Sequence, residues 1–339
     1  MKILLTWHVS ENELKKYKAA LPENTLIVFP PRADGFSRFD TTLEAIMPFL
    51  HDVDVIVGWV LPEGALAATK KLKLICWMHA GCDELDFGQL KSMGVQVTNI
   101  RGANSIAVAE HAMALVLGLS KRLIAARQAV VDAETSPFYV EGHHSSTLDN
   151  RTMGIIGLGR IGTEIVKRAK AFNMRTLGVR RHPEKGLDGA DMVYGVDALY
   201  SVLGQCDYVV LATPMTSDTD QFFGKAEFEA MKPGAFLVNI ARGNLVQESV
   251  LYEALTSGKL SGYGSDVWWT YNNSYPATYH FPVPSRTGVH KLPNVLGTGG
   301  QGSNAEDVID RTVDKSIESL VQFASGTALT SVIDLDLGY

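Results

Sequence analysis

Cysteine is scarce in this 339-residue sequence, with only Cys76, Cys82 and Cys206. The number is odd and no CxxC pair occurs, which excludes a disulfide framework and suits a reducing, cytoplasmic setting. No His/Cys cluster has metal-ligand spacing. His143-His144 sits in a polar stretch that reads as a surface loop, so no metal site is expected. Long apolar runs are also missing. The longest, Ile106 to Leu119, is broken by Glu110 and His111 and reads as a buried helix, not a membrane span. The opening Met1–Thr6 turns polar too soon for a signal peptide. Positive charge is not in excess either. The net charge of −6 argues against nucleic acid or an anionic membrane as a general partner and leaves a small molecule.

What remains is the composition of an ordinary globular protein, long enough for two domains. In the first hundred residues, short apolar runs alternate with helical patterns. Ile3–Leu5, Leu26–Phe29, Val55–Val57, Leu74–Trp77 and Val95–Thr98 read as buried strands, and Glu11–Ala20 and Pro62–Lys70 as helices. One long helical stretch follows, from about Ser105 to Val131. Residues 134–150 are polar and read as a loop. A second series begins at Thr152, with strands at Met153–Gly157, Thr176–Val179, Tyr208–Ala212, Phe236–Ile240, Tyr263–Val267 and Val295–Thr298. Helices fit 160–172, 197–204, 225–231, 247–257 and about 303–323. Such alternation predicts α/β architecture with parallel sheets covered on both faces.

Ile155-Ile156-Gly157-Leu158-Gly159-Arg160-Ile161-Gly162 closes a strand and opens a helix with an apolar face through Ile161, Ile165, Ala169 and Phe172. In that context GxGxxG is a dinucleotide fingerprint. Gly157 permits the tight turn, Gly159 lets backbone approach a pyrophosphate, Gly162 lets helix and strand pack closely, and the helix N-terminus attracts the anion. An acid about 20 residues on would bind the ribose of NAD. Arg180-Arg181 stand there instead, and two guanidiniums suit the 2′-phosphate of NADP, with NAD as second choice.

The run Asn104-Ser105-Ile106-Ala107-Val108-Ala109-Glu110-His111 resembles the opening of the interdomain helix in the D-isomer-specific 2-hydroxyacid dehydrogenases. Thr213-Pro214-Met215-Thr216 resembles that family's loop beside the cofactor. Met231-Lys232-Pro233-Gly234-Ala235 through Val238-Asn239-Ile240-Ala241-Arg242-Gly243 resembles its most characteristic run. Gly258–Val267 and Asp334–Tyr339 also match, so the resemblance covers nearly the whole chain. It implies two Rossmann-like or flavodoxin-like doubly wound domains with a cleft between them. Residues 102–298 would form the dinucleotide-binding domain, and 1–101 with 299–339 the flavodoxin-like substrate domain. It implies hydride transfer between a nicotinamide cofactor and a 2-hydroxy or 2-keto acid, and a homodimer through the Ser105–Val131 helix. Arg242 matches the Arg that holds the substrate carboxylate and carbonyl. Asp266 matches the Asp that contacts the nicotinamide carboxamide, and Thr213, Pro214, Ile240 and Ala241 fall beside the cofactor.

Two of the family's three catalytic side chains have no match. The Glu that orients the catalytic His is expected at Tyr271, and the His itself at Gly300. A general acid contributes about 10²–10⁴-fold to such a reaction, so its loss or relocation matters. His79, on a loop that by resemblance meets the substrate carboxylate, His290 and Tyr271 are the candidate replacements. Trp268, Trp269, Tyr271, Tyr275, Tyr279 and Phe281 form either an apolar wall for a larger substrate or a subunit contact, core or interface packing being the commoner fate of such residues. Two readings stay open: an oxidoreductase with a relocated proton donor, or a catalytically degenerate dinucleotide-binding sensor or interaction protein.

Overall fold

The computed structural model describes residues 1–32, 37–133, 144–270 and 284–339. These fall into two compact units. One comprises Met1–Asn104 and Glu306–Tyr339, the other the described residues between Ser105 and Ala305.

The first unit is built on five parallel strands: β1 (Lys2–Leu5), β2 (Leu26–Val28), β3 (Val55–Gly58), β4 (Leu74–Trp77) and β5 (Gln96–Asn99), in the spatial order β2, β1, β3, β4, β5. β3 and β4 are buried on both faces, which is why they read as unbroken apolar runs. Helices α1 (Glu11–Ala20), α2 (Leu43–Leu50) and α3 (Phe87–Ser92) and the C-terminal helix Glu306–Ser325 cover the sheet. A capping box starts α1: the Ser10 hydroxyl accepts from the Glu13 amide, and the Glu13 carboxylate accepts from the Ser10 amide. The strand order reverses between β1 and β3, where ligands of doubly wound sheets bind.

The second unit begins with α4 (Ser105–Ser120) and α5 (Leu123–Val131). It continues through β6 (Thr152–Ile156), α6 (Arg160–Ala171), β7 (Arg175–Val179), β8 (Met192–Tyr194), α7 (Leu199–Leu203) and β9 (Tyr208–Leu211). Then follow α8 (Lys225–Ala230), β10 (Ala235–Asn239), α9 (Glu248–Thr256), β11 (Leu260–Ser265) and β12 (Val295–Gly297). Its seven strands are parallel, in the order β12, β11, β10, β9, β6, β7, β8, and the order reverses between β6 and β9. Val108, Ala112, Ile165 and Ala169 fill one face beneath α4 and α6, and Phe223, Phe228, Leu251 and Leu255 fill the other.

The structure departs from the sequence reading at several points. Pro62–Lys70 forms only a single-turn helix at Leu66–Ala68, because the Pro62 carbonyl closes a turn with the Ala65 amide and Gly64 takes a φ of +83°. The long helix breaks after Ser120. The Arg122 amide bonds the Leu119 carbonyl three residues back, and Arg122 turns left-handed at φ 53°. The second unit runs past 298 to Ala305, because Asp266 holds residues 300–302, while Ala103 packs in the core of the first. Phe172 caps α6 and is exposed instead of extending its apolar face. Among the described residues, no helix is long and apolar enough to cross a membrane, and no group of His, Cys, Asp and Glu could hold a metal.

Candidate functional site

The glycine motif sits at the carboxyl end of β6, beside the reversal of strand order. Gly157 has a φ of +104°, and a Cβ there would lie 2.6 Å from the backbone of Ala212 and Thr213. The turn can therefore lie flat against the loop that follows β9 and carries Thr213 and Pro214. A Cβ on Gly162 would come within 2.4 Å of the Gly157 carbonyl oxygen, so only glycine lets α6 start this close to β6. Gly159 differs. A Cβ there would meet nothing within 4 Å, and Gly159 is the N-cap of α6 with no side chain capping the helix. Open space in front of an uncapped helix N-terminus fits a pyrophosphate. Exposed Arg160 and half-buried Ile161 form the first turn.

The two arginines after β7 are used differently. Arg180 is 13% exposed. Its Nε donates to the His182 carbonyl at 2.9 Å, and its guanidinium forms a close ion pair with Asp188. Arg181 is 42% exposed and pairs with Asp218 at 3.1 Å, joining the loops after β7 and β9. The expected pair of guanidiniums is thus divided: Arg181 faces outward and Arg180 is largely engaged within its own turn.

Arg242 stands on a turn built by Asn239, the last residue of β10. The Asn239 side chain accepts from the Ala241 amide at 3.0 Å and donates to the Arg242 carbonyl at 2.8 Å. Ile240 lies between them, buried, and its amide reaches the Leu211 carbonyl. The Arg242 Nη1 donates to the Ala241 carbonyl at 2.9 Å. A Cβ on Gly243 would lie 2.3 Å from the Trp268 carbonyl, so the Arg242 turn packs directly on the segment after β11.

That segment carries Asp266, 6% exposed. Its Oδ1 accepts from the Thr298 hydroxyl at 2.7 Å and the Gln301 amide at 2.8 Å, and its Oδ2 from the Gly302 amide at 2.7 Å. The His111 Nε2, from α4, lies 3.4 Å from Oδ1 and 2.8 Å from the Thr298 hydroxyl. Burial pushes the Asp266 carboxyl up, but the hydrogen bonds from His111, Thr298 and the two amides outweigh it and hold the pKa below the usual carboxylate value. The loop with Gly300, where the resemblance expects a His, is therefore a clasp around Asp266. Gly300 takes a φ of +64°, and a Cβ on Gly302 would sit 2.9 Å from the Asp266 Oδ2.

The candidate proton donors are differently placed. In the first unit, His79 follows β4. Its Nε2 lies 2.9 Å from the Trp59 carbonyl, which can only accept, so that nitrogen carries the hydrogen. In the second, His290 lies on the turn Val289–Lys291 with its ring edge-on to Trp268, and its buried Nδ1 has no hydrogen-bond partner among the described residues. Tyr271 lies outside the described residues, as do Tyr275, Tyr279 and Phe281. Trp268 is a core residue whose Nε1 donates to the Thr298 carbonyl, and the Trp269 Nε1 donates to the Val246 carbonyl. Both serve packing and are not an open wall.

Residues 113–299 match the model of the D-isomer specific 2-hydroxyacid dehydrogenase NAD binding domain. The chain belongs to this family of oxidoreductases. It is 33% identical to the glyoxylate reductase of Thermococcus onnurineus, over 79% of each chain. It is 30% identical to the D-3-phosphoglycerate dehydrogenase of Methanocaldococcus jannaschii over 87% of its own length, and spans 54% of that protein. The D-lactate dehydrogenase of Aquifex aeolicus, solved with NAD and lactic acid, is 26% identical with a TM-score of 0.75 over 96% of each chain. An acyclic imino acid reductase solved with NADPH and D-Arg has the same fold, with a TM-score of 0.79 at 22% identity, covering 98% of this chain and 100% of that one.

Sequence reasoning for this family member missed His111 and Thr298 as partners of Asp266. His111 was visible within the Asn104–His111 run, but nothing in the sequence ties α4 to the loop after β12.

Proposed function

We propose that this chain is an NAD(P)-dependent oxidoreductase acting on a 2-keto or 2-hydroxy acid, in the class of glyoxylate and hydroxypyruvate, which the names of two relatives specify. The observation that carries this reading is the Arg242 turn, pinned by Asn239 and Gly243 beside Asp266 in the same unit as the glycine loop. On this reading the second unit binds the dinucleotide and the first is the substrate domain. When bound, the dinucleotide supplies or accepts the hydride. Gly159 and the α6 N-terminus hold its pyrophosphate, Thr213, Pro214, Ile240 and Ala241 flank it, and Asp266 holds the carboxamide. Arg242 grips carboxylate and carbonyl with its planar fork. His79 gives the proton, its ring oriented by the Nε2 contact to the Trp59 carbonyl, with His290 and Tyr271 as the alternatives. Three buried, free thiols support a reducing, cytoplasmic setting. A spectrophotometric screen of NADPH oxidation over small 2-keto acids tests the reading, and no turnover of any of them refutes it.

NADP is the preferred cofactor on this reading, with Arg180 and Arg181 as the candidates for its 2′-phosphate, and Arg181 is tested first because it is the more exposed of two arginines that each pair with an aspartate. One charge-assisted bond to the 2′-phosphate contributes about 1.5–3 kcal/mol. Native protein should bind NADPH at least about tenfold more tightly than NADH. Arg181→Ala should bring the two dissociation constants to within about threefold, by calorimetry. An equal affinity in the native protein, or an unchanged preference in the variant, contradicts the assignment.

We also propose a homodimer through α5. No residue of this helix is buried, and Leu123 and Val130 are 55% and 79% exposed, with exposed Ile124 and Val131 beside them. Light scattering should give the mass of a dimer for the native chain, and of a monomer for Leu123→Asp with Val130→Asp. A native monomer, or a variant that stays dimeric, refutes this.

A further inference from the structure

The bonding around Asp266 has a definite direction. An ionised carboxylate only accepts, so the Thr298 hydroxyl gives its one hydrogen to Asp266 Oδ1. Thr298 Oγ1 is then left as an acceptor, and the His111 Nε2 at 2.8 Å must be the donor. The main chain of bonds runs His111 Nε2–H to Thr298 Oγ–H to Asp266, with a longer direct contact from the same His111 nitrogen to Asp266 Oδ1 at 3.4 Å. Thr298 also has a competing acceptor, the Ser265 carbonyl at 3.3 Å. The charged and nearer Asp266 carboxylate, at 2.7 Å, wins that hydrogen, and the donation from His111 polarises the hydroxyl and strengthens the bond it makes. Asp266 in turn holds the Gln301 and Gly302 amides, and Gly299 and Gly300 offer no side chain to fix the loop by other means.

We propose, resting on the reading of Asp266 as the nicotinamide-facing carboxylate, that His111 is a positioning residue for hydride transfer. It acts through the Thr298 hydroxyl to hold Asp266 and the 298–302 loop in the geometry that receives the nicotinamide ring. It touches neither substrate nor cofactor. In most of the site, glycine geometry or an Asn side chain fixes the backbone, whereas here a helix on one flank of the sheet aims a carboxylate on a loop of another strand.

Two substitutions separate the donated bond from mere bulk. Gln places an amide nitrogen as many bonds from the backbone as the His Nε2, so His111→Gln keeps the donor, and His111→Ala removes it. In the cofactor-free protein, hydrogen exchange at the Gln301 and Gly302 amides should quicken by about tenfold in His111→Ala, the worth of one lost hydrogen bond. His111→Gln should stay within about threefold of native. NADPH affinity, read by fluorescence titration, should follow the same order, about five- to tenfold weaker in His111→Ala and restored in His111→Gln. Thr298→Val, which keeps the shape and loses the hydroxyl, should reproduce His111→Ala and serves if that variant does not fold. Unchanged amide exchange in His111→Ala, or a His111→Gln as impaired as His111→Ala, overturns the proposal. So does a loosened loop with native NADPH affinity, because the network would then be structural only. A native protein that binds no nicotinamide dinucleotide overturns the reading of the whole site, and this proposal with it.

Discussion

Gly159→Leu should fold as the native chain does and lose its dinucleotide. A Cβ at this position meets no atom within 4 Å, and the backbone lies at φ −100°, open to any residue. The folding cost is then that of replacing glycine by a poorer N-cap, about 0.5–1 kcal/mol. A leucine side chain fills the space in front of the α6 N-terminus, where a pyrophosphate would lie, and NADPH affinity should fall by about 100-fold or more. Gly157→Ala makes the contrast. At φ +104°, with a Cβ 2.6 Å from the Ala212 and Thr213 backbone, it should cost about 2–4 kcal/mol of stability, seen as a lowered unfolding midpoint. Native affinity in a folded Gly159→Leu would remove the glycine loop from the site.

Arg242→Ala should leave the fold and the dinucleotide affinity intact and lower kcat/KM by about 10²–10³-fold, the usual range for a lost donor to the developing oxyanion. The turn survives the loss of the guanidinium bond to the Ala241 carbonyl because the two Asn239 bonds and the Gly243 contact remain. Arg242→Lys should restore little, because a point charge cannot reproduce the bidentate fork. The same assay applied to His79→Asn should show a fall of about 10²-fold in kcat with unchanged NADPH affinity if His79 gives the proton. An Arg242→Ala enzyme with native kcat/KM would exclude this side chain from the chemistry.

Most strands could be read from the sequence because parallel strands buried on both faces give continuous apolar runs, as at Val55–Gly58, Leu74–Trp77 and Tyr208–Leu211. Met192–Tyr194 escaped because its apolar run is only three residues, set between Asp191 and Gly195, whereas the equally short edge strand β2 lies in the longer apolar run Leu26–Phe29. The break at Arg122 escaped too, since no glycine or proline marks it and a tightened i−3 bond is a property of backbone, not of composition. In the candidate site, the glycine geometry follows from spacing that is local. The distribution of work between Arg180 and Arg181 does not, because it depends on Asp188 and Asp218 arriving from two different loops. The His111–Thr298–Asp266 chain is the extreme case, joining three segments that only the folded sheet brings together.

The most direct test of the proposed chemistry follows the hydride itself. NADPH carrying deuterium on the transferred position of its nicotinamide is incubated with the native enzyme and glyoxylate or hydroxypyruvate, and the product is examined by mass spectrometry and NMR. The expected result is a 2-hydroxy acid with one deuterium on C2, formed by the native enzyme at a rate lost in Arg242→Ala. A protein that binds NADPH yet yields no labelled hydroxy acid from any 2-keto acid would contradict hydride transfer and leave a dinucleotide sensor.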